Sequence, residues 1–78
     1  MPERKVYLNE IDKLYAFVNI MQKFDLKVDA CSDDYVLNAK SIFGIMSLDL
    51  SRPITIKVHS TSEEAQELFD AITDYIIL

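Results

Sequence analysis

The sequence contains few of the residues that break up or crosslink a chain. Its 78 residues include one glycine, two prolines, one cysteine and one histidine. This scarcity of glycine and proline excludes a disordered linker, and neither a low-complexity run nor an internal repeat is visible. Because Cys31 is alone, no internal disulfide can form and no cluster of cysteine metal ligands exists. We therefore expect a protein of the reducing cytoplasm.

Long apolar runs and clustered positive charges are also missing. No stretch reaches the roughly 18 apolar residues of a membrane-spanning helix, and the segment MPERKVYLNE lacks the apolar core of a signal peptide. Thirteen acidic residues against eight basic ones give a formal charge of −5. Nucleic-acid binding requires clustered lysine and arginine, so we expect neither nucleic acid nor a membrane as a partner. A chain this short has room for only one core, and we predict one domain over residues 1–78.

The apolar spacing in the first half of the chain predicts a strand, a helix and a hairpin. Residues Lys5 to Leu8 alternate as a strand does, and Asn9 is a good N-cap for the helix that follows. Leu26 to Ala30 and Tyr35 to Ala39 then form two strands, joined by a turn at residues 32–34. The apolar face of the helix is predicted to comprise Ile11, Leu14, Tyr15, Phe17, Val18, Ile20, Met21 and Phe24.

The second half of the chain predicts a further strand and a final helix. Ile54, Ile56 and Val58 alternate with polar residues, and Thr61 or Ser62 can cap the last helix. The apolar positions of that helix are Ala65, Leu68, Phe69, Ile72 and Ile76. Because one-faced strands and helices must cover one another, we predict an α+β domain in the order β-α-β-β-α-β-α, with a short middle helix. The predicted core includes Val18, Ile54, Ile56, Val58, Leu68, Phe69 and Ile72.

The stretch from Asn38 to Leu50 is the most distinctive part of the sequence. It is strongly apolar and contains Gly44, the only glycine, which weakens a helix by about 1 kcal/mol relative to alanine. We therefore expect a short helical turn. Ser41 stands at its N-cap position, where the hydroxyl can accept from free backbone N–H groups, and a phosphate on Ser41 could be held by the same donors. A plain capping role is the alternative.

The run AKSIFGIMSL within this stretch resembles the regulatory-serine segment of HPr, the histidine-containing phosphocarrier of the bacterial sugar phosphotransferase system. In that family a Lys-Ser pair opens a short helix. The likeness covers roughly Lys5 to Ile77 in register, and it implies an open-faced two-layer sandwich with an antiparallel four-stranded sheet. The other matching segments are Phe17-Val18 with Lys23-Phe24 in the first helix, Leu26 to Ala30 in the second strand, Pro53 to Val58 in the fourth strand and Glu63 to Ile76 in the last helix.

The same resemblance fails at the residues that carry phosphate. In HPr a histidine at the start of the first helix is followed by an arginine and a proline, and its imidazole is the nucleophile. The register set by Phe17-Val18 places Glu10 at the histidine position, Asp12 at the arginine position and Lys13 at the proline position. Two carboxylates would repel a phosphoryl group, so the resemblance implies the fold and the regulatory segment without the carrier chemistry.

Other residues that could carry chemistry are isolated. His59 follows the polar phase of its strand, so an exposed histidine is predicted. Cys31 has the outward phase of its strand and no adjacent run of cations, which predicts an unreactive thiol. Asp33 and Asp34 form a turn and lack a third acid at ligand spacing. We expect no enzyme activity, no catalytic residue, no metal site, no cofactor and no small-molecule substrate.

Two classes of function follow. The resemblance implies a regulatory or protein-binding module related to the phosphotransferase system, with regulatory phosphorylation at Ser41 and an HPr-type serine kinase or a transcription regulator as partner. Its expected contact surface comprises Lys40, Ile42, Phe43 and Met46. The alternative is a structural or assembly subunit whose acidic surface suits a basic partner. A genuine phosphocarrier would have to use Glu10 or His59 as its acceptor, and we disfavour it.

Overall fold

The computed structural model describes residues 1–77 and has the predicted order of elements. The elements are β1 (Glu3–Val6), α1 (Ile11–Met21), β2 (Val28–Ser32), β3 (Tyr35–Asn38), α2 (Ile42–Met46), β4 (Ile54–Val58) and α3 (Ser62–Ala71), followed by a 3-10 turn (Thr73–Tyr75). No helix in this part of the chain is long and apolar enough to cross a bilayer.

The four strands form one antiparallel sheet in the order β1-β4-β2-β3. Successive side chains of a strand point to opposite faces of the sheet. The central strands β4 and β2 therefore each have one buried face. In β4, Ile54, Ile56 and Val58 are buried while Thr55 and Lys57 are only partly covered. All helices pack on the buried face, so the other face of the sheet is uncovered. The predicted α+β open-faced sandwich is confirmed.

One core joins the sheet to the helices. It contains every residue predicted for it and further residues of β1, β2, α1 and α2. No polar or charged residue within 1–77 is buried. Burial of this apolar surface is the main term that stabilises so short a chain. The fully or nearly fully buried residues are Val6, Leu8, Leu14, Phe17, Val18, Met21, Val28, Ala30, Ala39, Ile45, Ile54, Ile56, Val58, Ala65, Leu68, Phe69 and Ile72.

The first helix differs from its prediction in two ways. Its N-cap is Glu10 and not Asn9; the Asn9 side-chain oxygen instead accepts a hydrogen bond from Lys13 Nζ at 3.2 Å. Its buried stripe comprises Leu14, Phe17, Val18 and Met21, whereas Ile11 and Tyr15, which were predicted to lie on that face, are exposed. The sheet covers a narrower part of α1 than the helical spacing alone indicates.

Three strands are displaced from their predicted bounds. β1 begins at Glu3 and ends at Val6, so both of its ends lie two residues earlier than predicted. β2 begins at Val28 instead of Leu26. β3 ends at Asn38, one residue early. The β2–β3 turn is where it was predicted, and Asp33 adopts a left-handed backbone conformation with φ of 52°, which aspartate tolerates better than most residues.

The last helix is shorter than predicted. Thr61 caps it, and its hydroxyl accepts from the backbone N–H of Glu64 at 3.2 Å. The helix ends at Ala71, so the prediction that it continues to Ile76 is wrong. After the 3-10 turn the chain becomes extended, and residues 75–77 run along the outer edge of β1.

Candidate regulatory and partner-binding site

Ser41 caps α2, as predicted. Its backbone is extended, with φ of −93° and ψ of 106°, and its hydroxyl oxygen accepts from the backbone N–H of Gly44 at 3.1 Å. Its own carbonyl accepts the first helical hydrogen bond, from Ile45 N–H at 3.0 Å. The side chain is exposed, so the hydroxyl is accessible while it satisfies one of the free donors of the helix start.

Gly44 allows the close approach of Ser41. Its φ is not positive, so backbone conformation does not require glycine here. A Cβ at this position would instead lie 3.1 Å from Ser41 Oγ and 3.3 Å from Ser41 Cβ. The hydroxyl could then reach the Gly44 N–H only if it moved by a few tenths of an ångström.

Lys40 points toward α1. Its ammonium donates to the carbonyl of Phe24 at 2.6 Å, and its own carbonyl accepts from Gln22 Nε2 at 2.7 Å. These two bonds attach the start of α2 to the turn that follows α1. The half-buried Lys40 side chain is therefore engaged within the protein.

The remaining predicted contact residues divide into covered and exposed side chains. Ile42 is partly buried against the core. Phe43 has 83% of its surface exposed and Met46 43%. The structure thus presents two apolar side chains of the predicted surface to solvent, directly after Ser41.

The helical layer carries two more exposed apolar residues, both predicted to lie on the apolar face of α1. Ile11 and Tyr15 of α1 are 50% and 52% exposed, and α1 packs beside α2. Spacing alone could not identify them, since they share the helical period of the buried stripe. The one available signal is that Leu14, Phe17, Val18 and Met21 already form a continuous apolar stripe without them.

Two acidic side chains lie at the start of α1. Glu10 is the N-cap, with φ of −129° and ψ of 144°, and its carboxylate makes no capping hydrogen bond. Asp12 lies in the first turn, where negative charge is favoured by the helix dipole. Both side chains are exposed.

The single histidine lies on the uncovered face of the sheet, away from the helical layer. His59 Nε2 is 2.6 Å from Asp29 Oδ2. Cys31 is on the same face and half-buried, and burial raises the pKa of its thiol, with Lys57 acting in the opposite direction. The structure therefore brings none of these residues near Glu10 or Ser41. No group of three potential metal ligands occurs among residues 1–77.

Residues 15–77 match the model of the family described as the PTS HPr component phosphorylation site. The chain belongs to the HPr family. The matching range includes Ser41 and all of α2, and it begins after Glu10 and Asp12.

Solved HPr structures confirm the fold. An HPr from Thermoanaerobacter tengcongensis is 27% identical, with a TM-score of 0.76 over 95% of this chain and 89% of that chain. The phosphocarrier HPr of Bacillus anthracis is 26% identical, with a TM-score of 0.73 over 97% and 96%. The Bacillus subtilis catabolite-repression protein Crh, described as an intertwined dimer with a swapped domain, is 24% identical, with a TM-score of 0.63 over 95% and 88%. No curated protein sequence matches the chain significantly.

Proposed function

We propose that this HPr-family protein is a regulatory, protein-binding module of a bacterial sugar phosphotransferase system, acting in the cytoplasm without carrying phosphate at the start of α1. The observation that carries the proposal is the 83% exposure of Phe43, two residues after the accessible N-cap Ser41. With Met46, which is exposed on the same short helix, it supports an apolar contact patch beside a modifiable hydroxyl.

The start of α1 supports the loss of carrier activity. In our proposal Glu10 and Asp12 stand where the family places its histidine and arginine. A carrier needs an imidazole nucleophile there and cations or backbone donors for the phosphoryl oxygens. The two exposed carboxylates supply no imidazole and repel a dianionic phosphoryl group, and the nearby Lys13 ammonium donates to the Asn9 side chain.

The proposed contact surface differs from the one predicted from the sequence. It comprises Ile11 and Tyr15 on α1 with Phe43 and Met46 on α2, and we call it the α1–α2 surface. Lys40 and Ile42 support it from within, because one binds the Phe24 carbonyl and the other packs on the core. Acidic Glu10 and Asp12 lie at its α1 end, which favours a partner with an apolar recess and basic residues nearby.

Phosphorylation of Ser41 would change the charge of this surface while the fold remains intact. A phosphate adds about −1.5 to −2 charges at pH 7 at an exposed site whose hydroxyl oxygen already accepts from the Gly44 N–H. Because the Lys40 ammonium is bound to Phe24, the added charge would remain available to arginine or lysine side chains of a partner.

An HPr-type serine kinase with ATP tests the proposal. Wild type and Ser41→Ala are treated in parallel, and phosphate incorporation is measured by intact mass. We expect one phosphate on wild type and none on Ser41→Ala. If neither protein gains a phosphate, or both gain one equally, regulation at Ser41 is wrong.

A second pair of variants tests the α1–α2 surface with the same kinase. Phe43→Ala should slow phosphorylation of Ser41, since burial of a phenylalanine side chain contributes about 1.5–3 kcal/mol. Val36→Ala is the matched control, because Val36 is also exposed, at 64%, but lies on the uncovered face of the sheet. Equal phosphorylation rates for both variants would mean that the kinase does not bind the α1–α2 surface.

A further inference from the structure

The outer edge of β1 is occupied by residues 75–77. Tyr7 N–H donates to the carbonyl of Tyr75 at 2.9 Å, and Ile77 N–H donates to the carbonyl of Lys5 at 2.9 Å. Between these bonds, Val6 and Ile76 form an antiparallel bridge. The segment thus pairs with the Tyr7 N–H and the Lys5 carbonyl, which an edge strand would otherwise present to another chain.

The segment is anchored at its beginning and exposed at its end. The ring of Tyr75 meets Phe17 edge-on, with centroids 6.0 Å apart and an interplanar angle of 89°. Ile76 packs partly against the core, whereas Ile77 has 41% of its surface exposed. The bond from Ile77 to Lys5 therefore depends mainly on the backbone and can open without removing the anchor.

Strand β1 is itself suited to pair with a second copy. Glu3 and Lys5 are two residues apart and point to the same, uncovered face of the sheet. Two β1 strands that run antiparallel with Arg4 at their centre would place Glu3 of each copy opposite Lys5 of the other. These two pairs of opposite charge stabilise the strand pair, and they outnumber the one pair of like charges, Arg4 facing Arg4 on the covered side, where each guanidinium stacks on Phe69. The backbone groups of Lys5 face away from β4, as its bond to Ile77 shows.

We propose that residues 75–77 are an intramolecular edge strand that keeps β1 from pairing with β1 of a second copy of this chain. Release of the segment frees the Lys5 carbonyl and the Tyr7 N–H, and the freed edge is then taken by the second copy. The device concerns self-association and is independent of the α1–α2 surface.

A pair of substitutions at Ile77 tests the device. Ile77→Pro removes the N–H that donates to Lys5, and the backbone of Ile76, with φ of −75° and ψ of 134°, already suits a residue that precedes proline. Ile77→Ala keeps the N–H and is the control. By sedimentation equilibrium over a concentration series, we expect Ile77→Pro to approach twice the monomer mass while wild type and Ile77→Ala remain monomeric. A folded Ile77→Pro that stays monomeric throughout overturns the proposal.

Two further measurements keep the test decisive. Adding Lys5→Glu to Ile77→Pro should weaken the dimer at least tenfold, because Glu3 would then face a glutamate; an unchanged dimer would mean that another surface is used. If Ile77→Pro does not fold, hydrogen exchange on wild type decides. The Tyr7 amide should then be protected like the amides of the β1–β4 ladder, and exchange as fast as in an unstructured peptide would contradict the edge strand.

Discussion

Gly44 and Ser41 act together, and their relation is visible only in three dimensions. From the sequence, Gly44 appeared only as a residue that weakens a helix. Its function in the structure is to leave room for the Ser41 hydroxyl, 3.1 Å from where a Cβ would lie. The capping role of Ser41 could be predicted because it depends on neighbours in the chain. The steric role of Gly44 could not, since it depends on a rotamer.

At the residue scale, we predict that Cys31 is a slow nucleophile. Burial raises the pKa of its thiol above the ordinary value, and although Lys57 lowers it, Asp29 and Glu3 raise it further. Because the thiolate is the reactive form, alkylation at neutral pH should be slower than that of glutathione and should reach the rate of a free thiol in denaturant. Time-resolved mass spectrometry of the alkylated protein measures this. Reaction of the folded protein as fast as glutathione would contradict the prediction.

The raised pKa of the Cys31 thiol also predicts that its contribution to stability falls as pH rises. Because its pKa is raised in the folded state, the unfolded thiol loses its proton first as pH increases. The contribution of Cys31 to stability is therefore complete below the ordinary thiol pKa and decreases as pH rises through it. Urea denaturation of wild type and Cys31→Ala over this pH range should converge toward alkaline pH, and a difference that grows with pH would reverse the sign.

At the element scale, α1 marks the limit of what helical spacing can predict. Ile11 and Tyr15 have the same period as Leu14 and Val18, yet the core covers only part of the apolar stripe. Which part is covered depends on how the helix sits on its neighbours. The predicted helix was therefore correct, whereas the predicted face was too broad, and the two exposed residues became candidates for contact.

Lys40 provides the test at this scale. Its ammonium donates to the Phe24 carbonyl and holds α2 against α1, and one such partly buried bond is worth about 1 kcal/mol. We predict that Lys40→Ala lowers the free energy of unfolding by this amount, while Lys23→Ala, which removes an exposed lysine near the end of α1, changes it by less than about 0.5 kcal/mol. Urea denaturation measures both. If Lys40→Ala has unchanged stability but is phosphorylated slowly by the kinase, Lys40 contacts the partner, as the sequence predicts.

At the scale of the whole molecule, the sequence predicted the fold class for a simple reason. Strands with one apolar face and helices with one apolar stripe can be buried only against each other. The strand order depended on the resemblance to HPr, because periodicity carries no information on which strands are neighbours. The end of α3 was wrong because Ile72 and Ile76 keep helical spacing, while the unpaired edge of β1 binds the backbone of residues 75–77 in extended form.

The shared core gives a matched pair of phenylalanine substitutions. Phe69 is 3% exposed between α3 and the sheet, and Phe43 is exposed on α2. Truncation of a buried phenylalanine costs about 3–5 kcal/mol, so Phe69→Ala should lose most of the stability of a domain this small. Phe43→Ala should remain within about 0.5 kcal/mol of wild type. Similar losses in denaturant titrations of the two variants would contradict the placement of the core.

We propose above that this HPr-family protein does not accept phosphate as a carrier. The direct measurement is intact mass, under conditions that preserve phosphohistidine, after incubation of the wild-type protein with phosphoenolpyruvate and the general energy-coupling enzyme of the sugar system. A histidine-bearing HPr serves as the positive control. We expect an unchanged mass, because Glu10 and Asp12 at the start of α1 provide no nucleophilic imidazole and repel the phosphoryl group. A stoichiometric, acid-labile phosphate on this protein would contradict it.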